Sequence, residues 1–375
     1  MIRFTPISFT CPNCGAPLGF SPATGKLTCT FCGSTAEIVP TDSQIEEFDL
    51  RNALRTLEHH TPKEINKAVT CTKCGSDFTL TPYSVSTRCP YCGTPAITPF
   101  ANPITPEAIL PFEITQKEAK QIFAKWIGSL WFAPNELKKL VDTDKALKGY
   151  YLPYWTYDAA TSTFYRGKRG DIYYVTVHQG RIVNGREQIV EVQEPRIRWT
   201  PVQGKVERFF DDVTIEANET LSRNILNALG SWDTSRSKPF DPRYLSGFES
   251  EEYSIGLDNG FEMAQSKMYG VIRGDICRDI GGDRQQIDHM ETRYADTTFK
   301  NSLFPIWTTH FTFKGKDYYY AINGQSGVIT GERPYSYTKV ALMIGSIMAL
   351  LLAIGYYSEY VDGASSDSFN TYYQR

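Results

Sequence analysis

The sequence predicts an α+β protein with two metal-stapled modules at its head and one membrane-crossing helix at its tail. Three observations predict it. A doubled Cys-x-x-Cys pattern occurs twice near the start, stretches of helical and strand-type periodicity interleave through the middle, and an uncharged apolar run lies near the end. At 375 residues, 41% hydrophobic and 22% charged, the chain is long enough for two or three folded units with a real core.

The cysteines come first. Cys11 and Cys14 answer Cys29 and Cys32, and sixty residues later Cys71 and Cys74 answer Cys89 and Cys92, with fourteen residues between the pairs of each copy. A two-residue gap turns both thiolates of a pair inward on one knuckle, and four such sulfurs suit tetrahedral Zn²⁺. Gly15, Gly33, Gly75 and Gly93 each follow a second cysteine, where a missing Cβ permits the turn that aims backbone N–H groups at sulfur. The intervening stretches read as strand, Pro-marked turn, strand. The expectation is two rubredoxin-like zinc ribbons, at 1–40 and 61–100, holding two Zn²⁺ ions in closed structural sites. Thioredoxin-like redox use would want one pair within a βαβ pattern, and disulfides would want an exported domain. The ninth cysteine, Cys277, reads as a small buried hydrophobe.

Residues 41–60 read as a linking helix, with Ile45, Phe48, Leu54 and Leu57 at near-helical intervals after an Asp42 or Ser43 cap; His59 and His60 read as solvated helix-end residues. Five prolines between Pro95 and Pro111 mark the entry to an α+β domain with an antiparallel sheet, 101–337. Thr115 and Glu118 form a capping box for a helix bearing Ile122, Phe123, Trp126, Ile127 and Leu130, and Pro134 opens another. Residues 150–212 are aromatic and β-branched and read as sheet. Helical period returns at Leu221, Ile225 and Leu229, stopped by Gly230, and at Phe261, Ala264, Met268, Val271 or Ile272, and Ile276. "YLPYWTYDA" and "LFPIWTTHF" share a hydrophobe-Pro-x-Trp-Thr core, which raises a duplicated sheet; Pro153 and Pro305 suggest edge strands with Trp155 and Trp307 packed inward.

Val340 to Tyr357 is eighteen residues without a charge, a transmembrane helix assigned to 338–357, with 358–375 as a short extracytoplasmic tail. Arg333 and Lys339 precede it while Glu359, Asp362 and Asp367 follow, so the head is expected in the cytoplasm of a bacterium and the helix in its inner membrane. Ala341, Gly345, Ala349 and Ala353 share one face, a small-residue ladder that suits helix–helix association.

Neither a phosphate-cradling Gly-rich loop nor a nucleophile elbow occurs, and the acidic positions Asp275, Asp279, Asp283 and Asp288 read as solvated loop charges without a catalytic role. Asp211 and Asp212 read the same way. No enzyme is expected. Residues 8–38 carry only Lys26 against Glu37, and 68–98 carry Lys73 and Arg88 against Asp77, so nucleic acid is not an expected partner. A membrane-tethered nucleic-acid-binding regulator is the alternative reading.

The paired C-P-x-C-G knuckles, "ILPFEIT", "GYYLPYWTYDA", "FFDDVTIEA", "PFDPRYLSGF" and "LFPIWTTHFTFKGKDYYYAINGQSGVITGERP" resemble bacterial TFIIB-type double zinc-ribbon membrane-anchored proteins, over nearly the whole chain. Members are often labelled primosomal replication-restart helicases; a motor would need a nucleotide-binding loop, and this sequence has none. The resemblance implies an adaptor, associated in some bacteria with PspA-like and SPFH-like membrane-stress proteins that it helps recruit to the membrane. It also implies the eight ribbon cysteines as zinc ligands.

Overall fold

The computed structural model describes residues 2–39, 44–57, 62, 64–136, 147–183 and 186–370. In chain order, β1 (Ile2–Phe4) pairs parallel with residues 67–69 of the second cysteine module, while β2 (Leu18–Ser21), β3 (Lys26–Cys29) and β4 (Thr35–Ala36) form the antiparallel sheet of the first. A linker follows with β5 (Phe48–Asp49) and α1 (Leu50–Thr56), and the second module holds β6 (Lys67–Thr70), β7 (Asp77–Thr79), β8 (Ser84–Arg88) and β9 (Pro95–Ile97). The central domain runs β10 (Ala108–Ile109), α2 (Gln116–Ser129), β11 (Lys148–Val183), β12 (Arg186–Glu216), α3 (Arg223–Ala228), β13 (Lys238–Pro239), β14 (Glu249–Glu251), α4 (Leu257–Ile280), β15 (Arg284–Phe313), β16 (Lys316–Asn323) and β17 (Ile329–Gly331). Last comes α5 (Tyr337–Asn370).

The central sheet is duplicated. β11 and β15 pair antiparallel, with Leu152 opposite Phe304, Pro153 opposite Leu303 and Tyr151 opposite Pro305, so the two Pro-x-Trp segments face each other about a local two-fold axis. Everything around them repeats. β10 adds parallel to β15 at Ser302 and Leu303, and β14 adds parallel to β11 at Tyr150 and Tyr151. Trp155 Nε1 donates to Ile255 O (3.0 Å), and Trp307 Nε1 donates to Ile114 O (2.8 Å). Trp155 meets Tyr253 with centroids 4.8 Å apart and planes at 53°, and Phe112 meets Trp307 with the same two values. The fold is thus β-α-β-β twice over, each half lending its short strand and helix to the other half's hairpin.

Both prolines lie in central strands rather than at edges, and the geometry shows why they are tolerated. Pro153 O accepts from Ala217 N and Pro305 O from Gly324 N, so each proline nitrogen points to the flank away from its long partner. On that flank the neighbour is changing, from β14 to β12 beside Pro153 and from β10 to β16 beside Pro305. No ladder bond is lost there.

The two hairpins run in opposite directions and differ in length. β11 and β12 stay paired from Tyr154–Glu216 out to Val183–Arg186, while β15 stops at the Arg284–Gly170 pair. Beyond Gly170 the hairpin continues as two strands, with Ile172, Tyr174, Ile197 and Trp199 exposed. At about 3.3 Å per residue the 36 residues of β11 have a contour on the order of 100 Å. The second hairpin, β15–β16, projects past Lys148 by only a few residues.

Helix length follows hairpin length. α4 spans 24 residues and lays Ala264, Met268, Ile272, Ile276 and Ile280 on the long hairpin, Val271 being 44% exposed. Gly260 lets it approach: a Cβ there would come within 2.6 Å of Trp155 and Tyr157 atoms. α2, capped by the Thr115–Glu118 box, has 14 residues and stacks Phe123 on Tyr320 of the short hairpin at 3.9 Å.

The linker helix begins later than its apolar spacing suggests. Asp49 caps α1 by accepting from Asn52 N, and Phe48 pairs with Phe299 of β15; Asp42, Ser43, His59 and His60 lie outside the described residues, and Pro134 does open a helical turn at Asn135 and Glu136, after which 137–146 lie outside them too. Gly230, at φ +83°, ends the turn after α3.

Because each indole N–H satisfies a buried carbonyl, Trp155→Phe and Trp307→Phe are each expected to destabilise the protein by about 1–3 kcal/mol in denaturant unfolding. Comparable losses at the two positions are the signature of a duplicated core.

Candidate metal centres

Each cysteine quartet is built by two knuckles. In the first, Gly15 N donates to Cys11 O (2.9 Å) and Gly33 N to Cys29 O (3.0 Å), with both glycines at φ above +70°. The second repeats this with Gly75 to Cys71 and Gly93 to Cys89, both 2.9 to 3.0 Å. The knuckles bring Cys11, Cys14, Cys29 and Cys32 together, and Cys71, Cys74, Cys89 and Cys92 together, the four sulfurs of each set lying within 4.8 Å of one another.

The sulfur spacing fits a tetrahedral ion. Cys11–Cys32 and Cys14–Cys29 are 3.6 and 3.5 Å apart, and Cys71–Cys92 and Cys74–Cys89 are 3.6 and 3.8 Å apart. A tetrahedron with 2.3 Å Zn–S bonds has edges of about 3.8 Å. All nine cysteines are free thiols, and Cys277 on α4 is half-buried rather than enclosed.

The electrostatics favour thiolates at three of the four exposed corners; at the fourth, Cys14, the Ala16 N–H is outweighed by the neighbouring sulfurs of Cys32 and Cys29, which push the thiol up to about 12. The Ser34 hydroxyl and its backbone N–H pull the Cys32 thiol down to about 6, and the Thr94 hydroxyl and N–H do the same for Cys92. Ser76 lowers Cys74 in the same way, while burial raises Cys89 to about 11. The signal was available in the sequence: three of four knuckles read Cys-Gly-Ser or Cys-Gly-Thr. In each quartet the first cysteine of a pair is buried and the second exposed, so one side of each site faces solvent. Phe31 and Tyr91 stand at the same place in the second knuckle of each module, 75% and 69% exposed.

The comparisons with known proteins add one full-length likeness. The chain is similar to "Uncharacterized protein YdjG" of Bacillus subtilis (strain 168). Identity is 24% over 350 residues, covering 91% of this chain and 94% of that protein. No family profile and no solved structure matches the chain.

The modules are welded to the central domain. The first buries Leu18, Phe20 and Leu27 against Tyr244 and Phe248, and Ser246 Oγ donates to Leu18 O at 2.7 Å. The second is joined by an ion pair with both side chains almost fully buried: Lys67 Nζ lies 2.5 Å from Glu252 Oε1 and also donates to Ser84 O and Pro99 O. Glu252 Oε2 accepts from the backbone N–H groups of Ala101 and Asn102. Every face of this pair is satisfied, which a buried pair requires.

A third group of acids sits where the linker crosses the sheet. Glu47, Asp158 and Asp212 approach one another within 4.8 Å, and Lys300 supplies the countercharge, 2.7 Å from Glu47 and 2.6 Å from Asp212. Asp158 is buried at a β-bulge, accepts from Asp212 N at 2.6 Å, and is pushed up to about 6 by burial and then by Glu47. Neither Glu47 nor Asp158 stood out in the sequence.

In the acidic run Asp279, Asp283 and Asp288 are exposed, as expected, and Asp275 is half-buried, but all four are engaged. Asp275 binds Arg208 and Arg278, Asp279 accepts from Tyr165 OH (2.6 Å), Asp283 accepts from Ile172 N (2.7 Å), and Asp288 accepts from Gln286 (2.6 Å). The first three fasten the end of α4 to the long hairpin. Asp212 is likewise engaged rather than free.

Two expectations follow. Cys14→Ser and Cys74→Ser, each an exposed ligand, should each lower bound metal by one equivalent in elemental analysis of purified protein. Because the folded pKa of Asp158 is raised, its contribution to stability is complete below the ordinary carboxylate range and is lost as pH rises through about 6. Asp158→Asn should therefore flatten the slope of unfolding midpoint against pH between about 4 and 6.

Proposed function

We propose that the protein is a membrane-anchored zinc-ribbon adaptor: the cysteine modules hold two structural Zn²⁺ ions, α5 fixes the head at a bilayer, and the head recruits partner proteins there. The observation that carries this reading is α5. Its segment Tyr337–Tyr357 has mean hydropathy 2.1, contains no buried residue, and begins directly where the folded head ends. Exposed apolar surface of that length calls for lipid.

The flanking charges support a cytoplasmic head at a bacterial inner membrane. The resemblance to double zinc-ribbon membrane proteins supports partners of the PspA-like or SPFH-like kind and a role in envelope stress. Two exposed features suit protein binding: the aromatic pair Phe31 and Tyr91 at the knuckle tips, and the apolar face of the long hairpin around Trp199. The long hairpin leaves the end of the sheet opposite α5, so a partner seated on it would be held away from the anchor.

The test is affinity capture from solubilised membranes, comparing full-length protein with a form ending at Tyr337. Truncation should release the head from the membrane fraction, and Trp199→Ser with Ile172→Ser should lose captured proteins while membrane residence is kept. Residence of the full-length protein in the soluble fraction would contradict the reading.

A further inference from the structure

The first turn of α5 is gripped by the head. Lys339 Nζ donates to Trp131 O (3.3 Å), Ala133 O (2.8 Å) and Asn135 Oδ1 (2.8 Å), and Ser336 N donates to Phe132 O (2.7 Å). A lysine ammonium has three N–H donors, so this cation is fully used by the loop that follows α2. Leu130 and Ala133 are buried, which fixes the loop against the core.

Trp131 does the opposite. It is 80% exposed, although its neighbours on both sides are anchored. Tyr335 and Tyr337, 53% and 88% exposed, stand at the same helix entrance. One helical turn rises only about 5.4 Å, so a loop bonded to Lys339 lies at the depth where the apolar surface of α5 begins. Trp and Tyr side chains favour that depth, where the ring meets acyl chains and the polar edge meets headgroups.

We propose that Trp131, Tyr335 and Tyr337 form an aromatic collar that inserts into the lipid headgroup region and seats the head on the bilayer, with Lys339 as the clamp that sets the collar's depth. This rests on the reading of α5 as membrane-spanning. The occupant is lipid, because the exposed ring of Trp131 and the first apolar turn of α5 share one level and any bilayer that receives the helix reaches that ring. The collar also assigns Lys339 a use that flanking-charge arguments do not contain: it holds protein rather than phosphate.

Full-length protein in nanodiscs, with phospholipid brominated near the top of the acyl chain, tests this through tryptophan fluorescence. Bromine quenching should fall by more than half in Trp131→Phe, since Trp155 and Trp307 are buried in the core, Trp126 and Trp232 are partly buried against it, and Trp199 lies on the distant hairpin. Lys339→Leu should keep the helix inserted yet weaken the quenching by releasing the loop. Equal quenching in wild type and Trp131→Phe overturns the collar, and unchanged quenching in Lys339→Leu overturns the clamp. Carbonate extraction separates the two readings: wild type released by carbonate defeats the membrane anchor itself, whereas wild type retained without Trp131-dependent quenching defeats the collar alone.

Discussion

The antiparallel register of β11 against β15 is the constraint on which the molecule depends. With Leu152 opposite Phe304, each Pro-x-Trp segment places its proline where the outer neighbour changes and its indole over the other half's connecting loop. Shifting that register by one residue would turn every buried aromatic to the wrong face. The two prolines would then face a continuing strand with no N–H to give.

From this local two-fold the rest of the architecture unfolds with opposite signs at its two ends. Each helix crosses to cover the other half's hairpin, so α4 is long because the first hairpin is long, and α2 is short because the second is. The first hairpin outruns its covering and becomes a bare arm. The second ends early, and β17 and α5 continue from its side of the sheet. A duplicated core has thereby been put to two uses, one half extended outward and the other tied to an apolar helix. The cysteine modules add rigidity along the flank, the second through the enclosed Lys67–Glu252 pair and the first through Phe20 against Tyr244.

Much of this was legible in the residues. The cysteine spacing identified both quartets, because metal geometry depends on neighbours close in sequence. The capping box at Thr115 and the apolar run of α5 were legible for the same reason. The repeated Pro-x-Trp core pointed to the duplication but not to its form, since prolines in isolation argue for edges and only the pairing shows a changing flank. Asp279 and Asp283 are exposed, as read, but what they and Asp275 hold was illegible because their partners, Tyr165, Ile172 N and Arg208, lie 67 or more residues away along the chain. The Glu47–Asp158–Lys300 group was illegible on the same ground. Long-range pairing gathers it, and no local spacing announces it.

The central claim is that arm and anchor leave opposite ends of one rigid sheet. It is tested most directly by single-molecule energy transfer between dyes at Thr176 on the arm and Lys316 on the short hairpin, placed through non-natural residues in full-length protein. The sheet requires a separation on the order of 100 Å and so almost no transfer. Efficient transfer would mean that the arm folds back on the head, and would contradict the two-fold arrangement from which this account is built.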